Sequence, residues 1–163
     1  MQIVILIKEF KMIREDLKKQ LVEAMKSKDD KKTATIRLIN AAIKQKDIEA
    51  RPSGKTDGID DGAILSLMQS MIKQRRESID MYKKGGREDL AAAEQAEIDI
   101  IQAFLPKQMS EDEVRNAIKE VIEQTGAASI KDMGKVMGAL RGKYAGQMDF
   151  GMASNLIKEA LAG

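Results

Sequence analysis

Three glycines spaced four residues apart, Gly134, Gly138 and Gly142, fall within one predicted helix and therefore on one face of it. We call this the glycine face. Each glycine inside a helix costs about 1 kcal/mol relative to alanine, so some interaction is expected to offset the cost. Two explanations fit: close contact with a neighbouring helix, or close approach of a sugar-phosphate backbone.

Basic residues surround the glycine face. They are Lys131, Lys135, Arg141 and Lys143, and only Asp132 opposes them. Lysine and arginine are the residues with which proteins contact nucleic-acid phosphates. These four cations and the three glycines together are therefore the candidate RNA-binding residues of the chain.

A second set of charged residues, Arg75, Glu94 and Glu97, lies on or beside the apolar stripes of a predicted helical hairpin. The paired glycines Gly85 and Gly86 stop one helix and turn the chain. Counting outward from them places Arg75 opposite both glutamates. An unpaired charge at such a position would cost several kcal/mol. The sequence therefore predicts a largely buried, structural ion pair or triad with no catalytic role.

The chain contains no cysteine and no histidine. That composition excludes disulfides, thiol nucleophiles, Cys/His zinc sites and imidazole acid–base catalysis. Any enzymatic chemistry would rest on carboxylates, Lys, Tyr or Ser. We therefore predict no catalytic residues, no cofactor and no metal. The net charge of +2 is too small to indicate a partner.

The composition predicts an all-α protein, because charged residues make up 33% of the chain, aromatic residues only 3%, and proline occurs twice. Two helical hairpins, over 12–49 and 61–105, predict an N-terminal four-helix unit. Pro106 ends it, and a capping box at Ser110 begins a small C-terminal bundle of three helices. The predicted domains are thus 12–106 and 107–163.

The second predicted helix, from about Lys31 to Glu49, is apolar nearly all round, and we expect it to be central and buried on most sides. Its narrow polar stripe would be a solvent-facing or a ligand-facing edge. That stripe consists of Thr33, Arg37, Asn40 and Lys44.

The first eleven residues do not match the helical pattern that follows. Ile3 to Ile7 is an apolar run too short for a signal peptide or a membrane span. We therefore predict a cytoplasmic protein without membrane contact. Residues 1–11 are expected to be an upstream extension, or a short tail that docks on the surface.

Several segments resemble the YqeY-like family, and the similarity runs from Met12 to the C-terminus. They are residues 73–79, 86–91 and 105–110, with Glu94 and Glu97. Residues 133–137, with Gly146 and Asp149, are similar to the tail of the B subunit of the glutamine-dependent aspartyl/glutamyl-tRNA amidotransferase. The combined family is called GatB/YqeY.

The resemblance implies an association with carbon–nitrogen ligase activity that uses glutamine as amido-N-donor. In the amidotransferase the similar tail is a helical appendage that helps to hold tRNA, and the transamidation chemistry lies in other domains without a counterpart here. Gly138 stands where that tail commonly carries a lysine, so individual RNA contacts are not carried over.

Three functions remain open. The first is an accessory module that binds folded tRNA by phosphate and shape contacts, which suits a chain with few aromatic side chains for base stacking. The second is a helical adapter that docks on an amidotransferase or another translation protein without binding RNA. The third is an enzyme, although the sequence has no nucleophile constellation for glutamine hydrolysis and no phosphate-binding loop after a strand.

Overall fold

The computed structural model describes residues 13–162, so the predicted extension 1–11 lies outside the described residues. These residues form seven α-helices and no strand, which confirms the predicted all-α fold. The helices are Ile13–Lys26 (α1), Asp30–Ala50 (α2), Asp61–Lys84 (α3), Glu88–Gln102 (α4), Glu111–Thr125 (α5), Met133–Tyr144 (α6) and Phe150–Ala162 (α7). Short 3₁₀ turns occupy Arg51–Ser53 and Ile130–Asp132.

The chain divides into two compact units, one ending at Leu105 and the other beginning at Pro106. Each unit has its own hydrophobic core. The first core includes Leu17, Ile36, Ile64 and Ile98. The second includes Val114, Val136, Leu140 and Ile157.

In the first unit, α1 pairs with α2 and α3 pairs with α4, while α2 also packs against α3 and α4. Local capping defines where these helices begin. The Asp29 carboxylate accepts a hydrogen bond from Lys32 N at the start of α2, and Asp60 accepts one from Ala63 N at the start of α3. Gly86, with φ of 71°, takes the left-handed conformation in the turn between α3 and α4.

Helix α2 is not buried on most sides, so that prediction is wrong. Its buried residues, Ile36, Ile39 and Ile43 among them, share one face that packs against the other helices of the unit. Leu38 and Ile48 keep 47% and 43% of their surface exposed. The reason is that, among residues 13–162, the neighbouring helices cover one side of α2, while apolar residues continue onto its other side.

In the second unit, each of α5, α6 and α7 packs against the other two. The predicted capping box opens α5: Glu113 N donates to Ser110 Oγ at 3.2 Å, and Ser110 N donates to Glu113 Oε2 at 2.8 Å. Asp149 accepts hydrogen bonds from Gly151 N and Met152 N at the start of α7. Packing against α5 and α7 thus places one face of α6 toward the core of the unit.

Candidate nucleic-acid interface

The glycine face of α6 points to solvent. Val136 and Leu140 are fully buried and define the inward side of the helix, whereas all three glycines are exposed. At about 100° per residue, the glycines fall within an arc of about 80° on the side opposite Val136 and Leu140. The helix therefore presents bare backbone outward along its whole length.

Nothing in the described part of the chain packs against this face. A Cβ atom added at Gly134, Gly138 or Gly142 would meet no atom within 4 Å. Close contact with a neighbouring helix is therefore the wrong explanation for these glycines within the described residues. The helix bears a propensity cost of about 1 kcal/mol at each glycine without gaining an internal contact.

All four candidate cations are exposed, and at about 100° per residue Lys135 and Arg141 border the glycine face on its two sides. Lys135 Nζ donates to Thr125 O at 2.9 Å, and Lys143 Nζ donates to Gln124 Oε1 at 3.3 Å, so both reach toward the end of α5. The Arg141 guanidinium lies 5.7 Å from the centroid of the Phe150 ring, at the start of α7. The structure thus places Lys135 at one edge of the face and Arg141 at the other.

Within residues 13–162, no carboxylate neutralises Lys131, Lys135, Arg141 or Lys143 through an ion pair. The nearby carboxylate of Asp132 accepts hydrogen bonds from Ala128 N at 2.9 Å and Ser129 N at 3.3 Å. These bonds lower the pKa of Asp132 and direct its carboxylate to the turn before α6.

The structure brings the three predicted members of the ion-pair site together. Arg75 Nε donates to Glu97 Oε2 at 2.8 Å and lies 3.8 Å from Glu94 Oε2, while Nη1 donates to Met71 O at 3.1 Å. The Arg75 side chain is 14% exposed, against 26% for Glu94 and 32% for Glu97. The site therefore links α3 to α4, with its arginine end the more enclosed.

A second ion pair, which is bidentate, was not predicted from the sequence. Arg14 Nη1 and Nη2 donate to Asp47 Oδ2 and Oδ1 at 3.0 and 2.8 Å. Ile59 joins the pair from the loop before α3, because its N–H donates to Asp47 and its carbonyl accepts from Arg14. The hydrogen bond from Arg14 is the main reason that the pKa of Asp47 is lowered. Partners 33 residues apart leave no local sequence signal.

Two other kinds of feature do not occur in the described residues. Among residues 13–162, no group of three or more acidic side chains is placed to hold a metal ion. In the same part of the chain, no helix has the length and apolar character needed to cross a membrane.

Comparison with known proteins identifies related sequences. A family model described as "Yqey-like protein" matches residues 14–161. The protein "Altered inheritance of mitochondria protein 41, mitochondrial" of Eremothecium gossypii is 43% identical over 89 residues, covering 55% of this chain and 46% of that protein. The Vanderwaltozyma polyspora protein of the same name is 35% identical over 123 residues, covering 72% and 64%. That of Pyrenophora tritici-repentis is 33% identical over 133 residues, covering 78% and 70%.

The match spans less than two thirds of the length of the first two of these relatives. Their names assign them to mitochondria, whereas the sequence analysis predicts a cytoplasmic location for this chain. That location stays a prediction.

Proposed function

Because the chain belongs to the YqeY-like family, we propose that it is an accessory protein that binds folded tRNA through phosphate and shape contacts. The observation that carries the proposal is the open glycine face of α6, which nothing in the described chain covers and which cations border on both sides. The wider role that we propose is in glutamine-dependent tRNA amidation.

A helix face without Cβ atoms lets a bulky backbone lie directly against the peptide groups. A sugar-phosphate backbone is such a ligand, and it carries the negative charge that Lys135 and Arg141 at the two edges would neutralise. Ligand binding would then explain why glycines remain at these exposed positions despite their low helix propensity. Alanine at the same positions would hold the ligand farther from the helix.

Base stacking is not part of this proposal. Tyr144 and Phe150, the aromatic residues of the second unit, are both half-buried in its core. Phe150 also lies under the Arg141 guanidinium. A surface with cations but without exposed rings suits the recognition of folded RNA by shape, rather than of single strands by stacking.

We assign no residue of this chain a catalytic role. The proposed partners are tRNA and an amidotransferase or another translation protein, which would supply the chemistry of the carbon–nitrogen ligase reaction. The alternative, an adapter without RNA binding, predicts binding to such a protein and no affinity for tRNA.

Salt-dependent binding of folded tRNA to the full chain tests the proposal. Removing the cation that contacts one phosphate should reduce the slope of log affinity against log salt by about one unit. We expect that reduction, with weaker binding, for Lys135→Ala and for Arg141→Ala. Lys119→Ala is the matched control, because Lys119 is exposed on α5, a different helix of the same unit.

Since Lys135 also donates to Thr125 O, a melting curve for each variant must accompany the binding data. No detectable tRNA binding by the unaltered chain at about 0.1 M salt, where phosphate contacts are strong, would refute the proposal. If log affinity against log salt has the same slope for Lys135→Ala, Arg141→Ala and Lys119→Ala, the glycine face is not the tRNA-binding surface.

A further inference from the structure

The uncovered side of α2, in the first unit, carries a regular row of residues that we call the α2 outer face. It consists of Ala34, Leu38, Ala41, Gln45 and Ile48, and all five are exposed. Their spacing alternates between four and three residues, so they follow one line along the helix. This line lies opposite the buried isoleucines of α2.

Single exposed apolar side chains are common on protein surfaces and need no explanation. Met81 on α3 is an example, at 73% exposure. The α2 outer face differs because four of its five positions are apolar and share one seam. Ala34 and Ala41 leave recesses beside Leu38, and the alternation of small and large residues is what knobs-into-holes packing against another helix requires.

The two borders of this face differ in charge. Arg37 and Lys44 lie on one border, one and two heptads after Asp30, and neither cation forms an ion pair within residues 13–162. The other border carries Glu49, which is bonded to Lys46 at 3.0 Å. Lys31 continues the row itself, seven residues before Leu38. Acidic groups from outside would therefore find cations without partners on the Arg37 side of the apolar seam.

We propose that the α2 outer face is the docking site for an amphipathic helix of a partner protein, with acidic residues on the side of its apolar stripe that meets Arg37 and Lys44. The seam from Ala34 to Ile48 is about 21 Å long at 1.5 Å per residue, so it accommodates about four turns of the partner helix. A face of this size suits a transient contact. The site belongs to the first unit, whereas the proposed tRNA surface belongs to the second.

Charge gives no advantage to a second copy of this chain as the occupant. In an antiparallel self-pairing centred between Asn40 and Ala41, Arg37 of each copy would lie opposite Lys44 of the other, and these like charges cost association free energy. In a parallel pairing, each border of the face meets the opposite border of the other copy. Lys44 would then approach Glu49, which Lys46 already holds at 3.0 Å, so the pairing gains little from the Arg37 and Lys44 charges.

The test uses two designed helical peptides of 18 residues, titrated against the full chain by calorimetry. Both carry leucine at the heptad seam, and the flanking positions are glutamate in one and lysine in the other. We expect the glutamate peptide alone to bind, with affinity falling as salt rises. Leu38→Gln should weaken it by about tenfold or more, since the central apolar side chain of such a seam carries much of the binding energy. Met81→Gln, the matched control, should leave it unchanged.

Circular dichroism of each variant verifies that the fold is intact. Equal binding of the two peptides, or unchanged binding by Leu38→Gln, overturns the proposal. Two other results also overturn it, by assigning the face to another occupant. One is concentration-dependent dimerisation that Leu38→Gln abolishes. The other is binding to vesicles of anionic phospholipid that Leu38→Gln abolishes.

Discussion

Arg75 Nε donates a hydrogen bond of 2.8 Å to Glu97 Oε2, and this bond joins α3 to α4 about three turns from the glycine turn between them. A planar guanidinium serves this position better than an ammonium would. It bonds Glu97 through Nε while Nη1 donates to Met71 O, and it stays within 3.8 Å of Glu94. The ion pair thereby restricts the register of the two helices.

Removing Arg75 tests the strength of this link. Arg75→Ala should lower the free energy of unfolding by about 1–3 kcal/mol, because Glu97 loses its hydrogen-bond partner in a partly enclosed place. The carboxylates remain about a quarter to a third exposed, so water offsets part of the loss. Urea unfolding measures the change. The matched control is Arg76→Ala, an exposed neighbour, with an expected cost below about 0.5 kcal/mol. Equal costs for the two variants would contradict this role.

The Arg14–Asp47 pair predicts a pH dependence. The folded-state pKa of Asp47 is lowered, chiefly by the hydrogen bond from Arg14, so its contribution to stability is present above the ordinary pKa of about 3.9. It is lost as the pH falls through the lower folded-state value. Asp47→Asn should therefore cost about 1 kcal/mol at pH 7, and the difference from the unaltered chain should shrink below pH of about 4.

Urea unfolding at several pH values measures that difference. Asp80→Asn, at an exposed position on α3, is the control and should cost less than about 0.5 kcal/mol at pH 7. A cost for Asp47→Asn that stays constant down to pH of about 2 would show that the charge of Asp47 is not the source of its contribution.

The separate cores predict that the first unit folds without the second. A fragment of residues 13–105 contains every described residue of the first core, and Gln108 and Met109 bond instead to Gly146 O and Gln147 O of the second unit. We expect a helical circular-dichroism spectrum and cooperative thermal unfolding for this fragment. A spectrum of an unfolded chain would show that the division at Leu105 does not separate independent folding units.

Local signals made much of the fold predictable from the sequence. Gly85 and Gly86 predict the turn between α3 and α4, and Ser110 predicts where α5 begins, since capping depends on residues close in the chain. The exposure of α2 was not predictable in this way. A helix that is apolar on several sides does not reveal which side its neighbours cover, and Leu38 could have faced either way.

For the candidate site, too, local spacing was predictable and contacts between distant residues were not. The spacing of Gly134, Gly138 and Gly142 identified a shared face, but only the structure shows that this face is open. The bidentate contact of Arg14 with Asp47 escaped prediction because it joins distant parts of the chain, and neither residue interrupts a helical pattern.

Gly138→Ala is the sharpest test of tRNA binding at the glycine face, because stability and binding should change in opposite directions. Alanine fits the open space at this position and should stabilise the second unit by about 0.5–1 kcal/mol through helix propensity. The same methyl group should weaken tRNA binding several-fold if a sugar-phosphate backbone lies against the face. Ala160→Gly, at an exposed position on α7, is the converse control and should lower stability without changing binding. We predict a higher melting temperature with weaker tRNA binding for Gly138→Ala. A higher melting temperature with unchanged binding would show that tRNA does not lie against the glycine face.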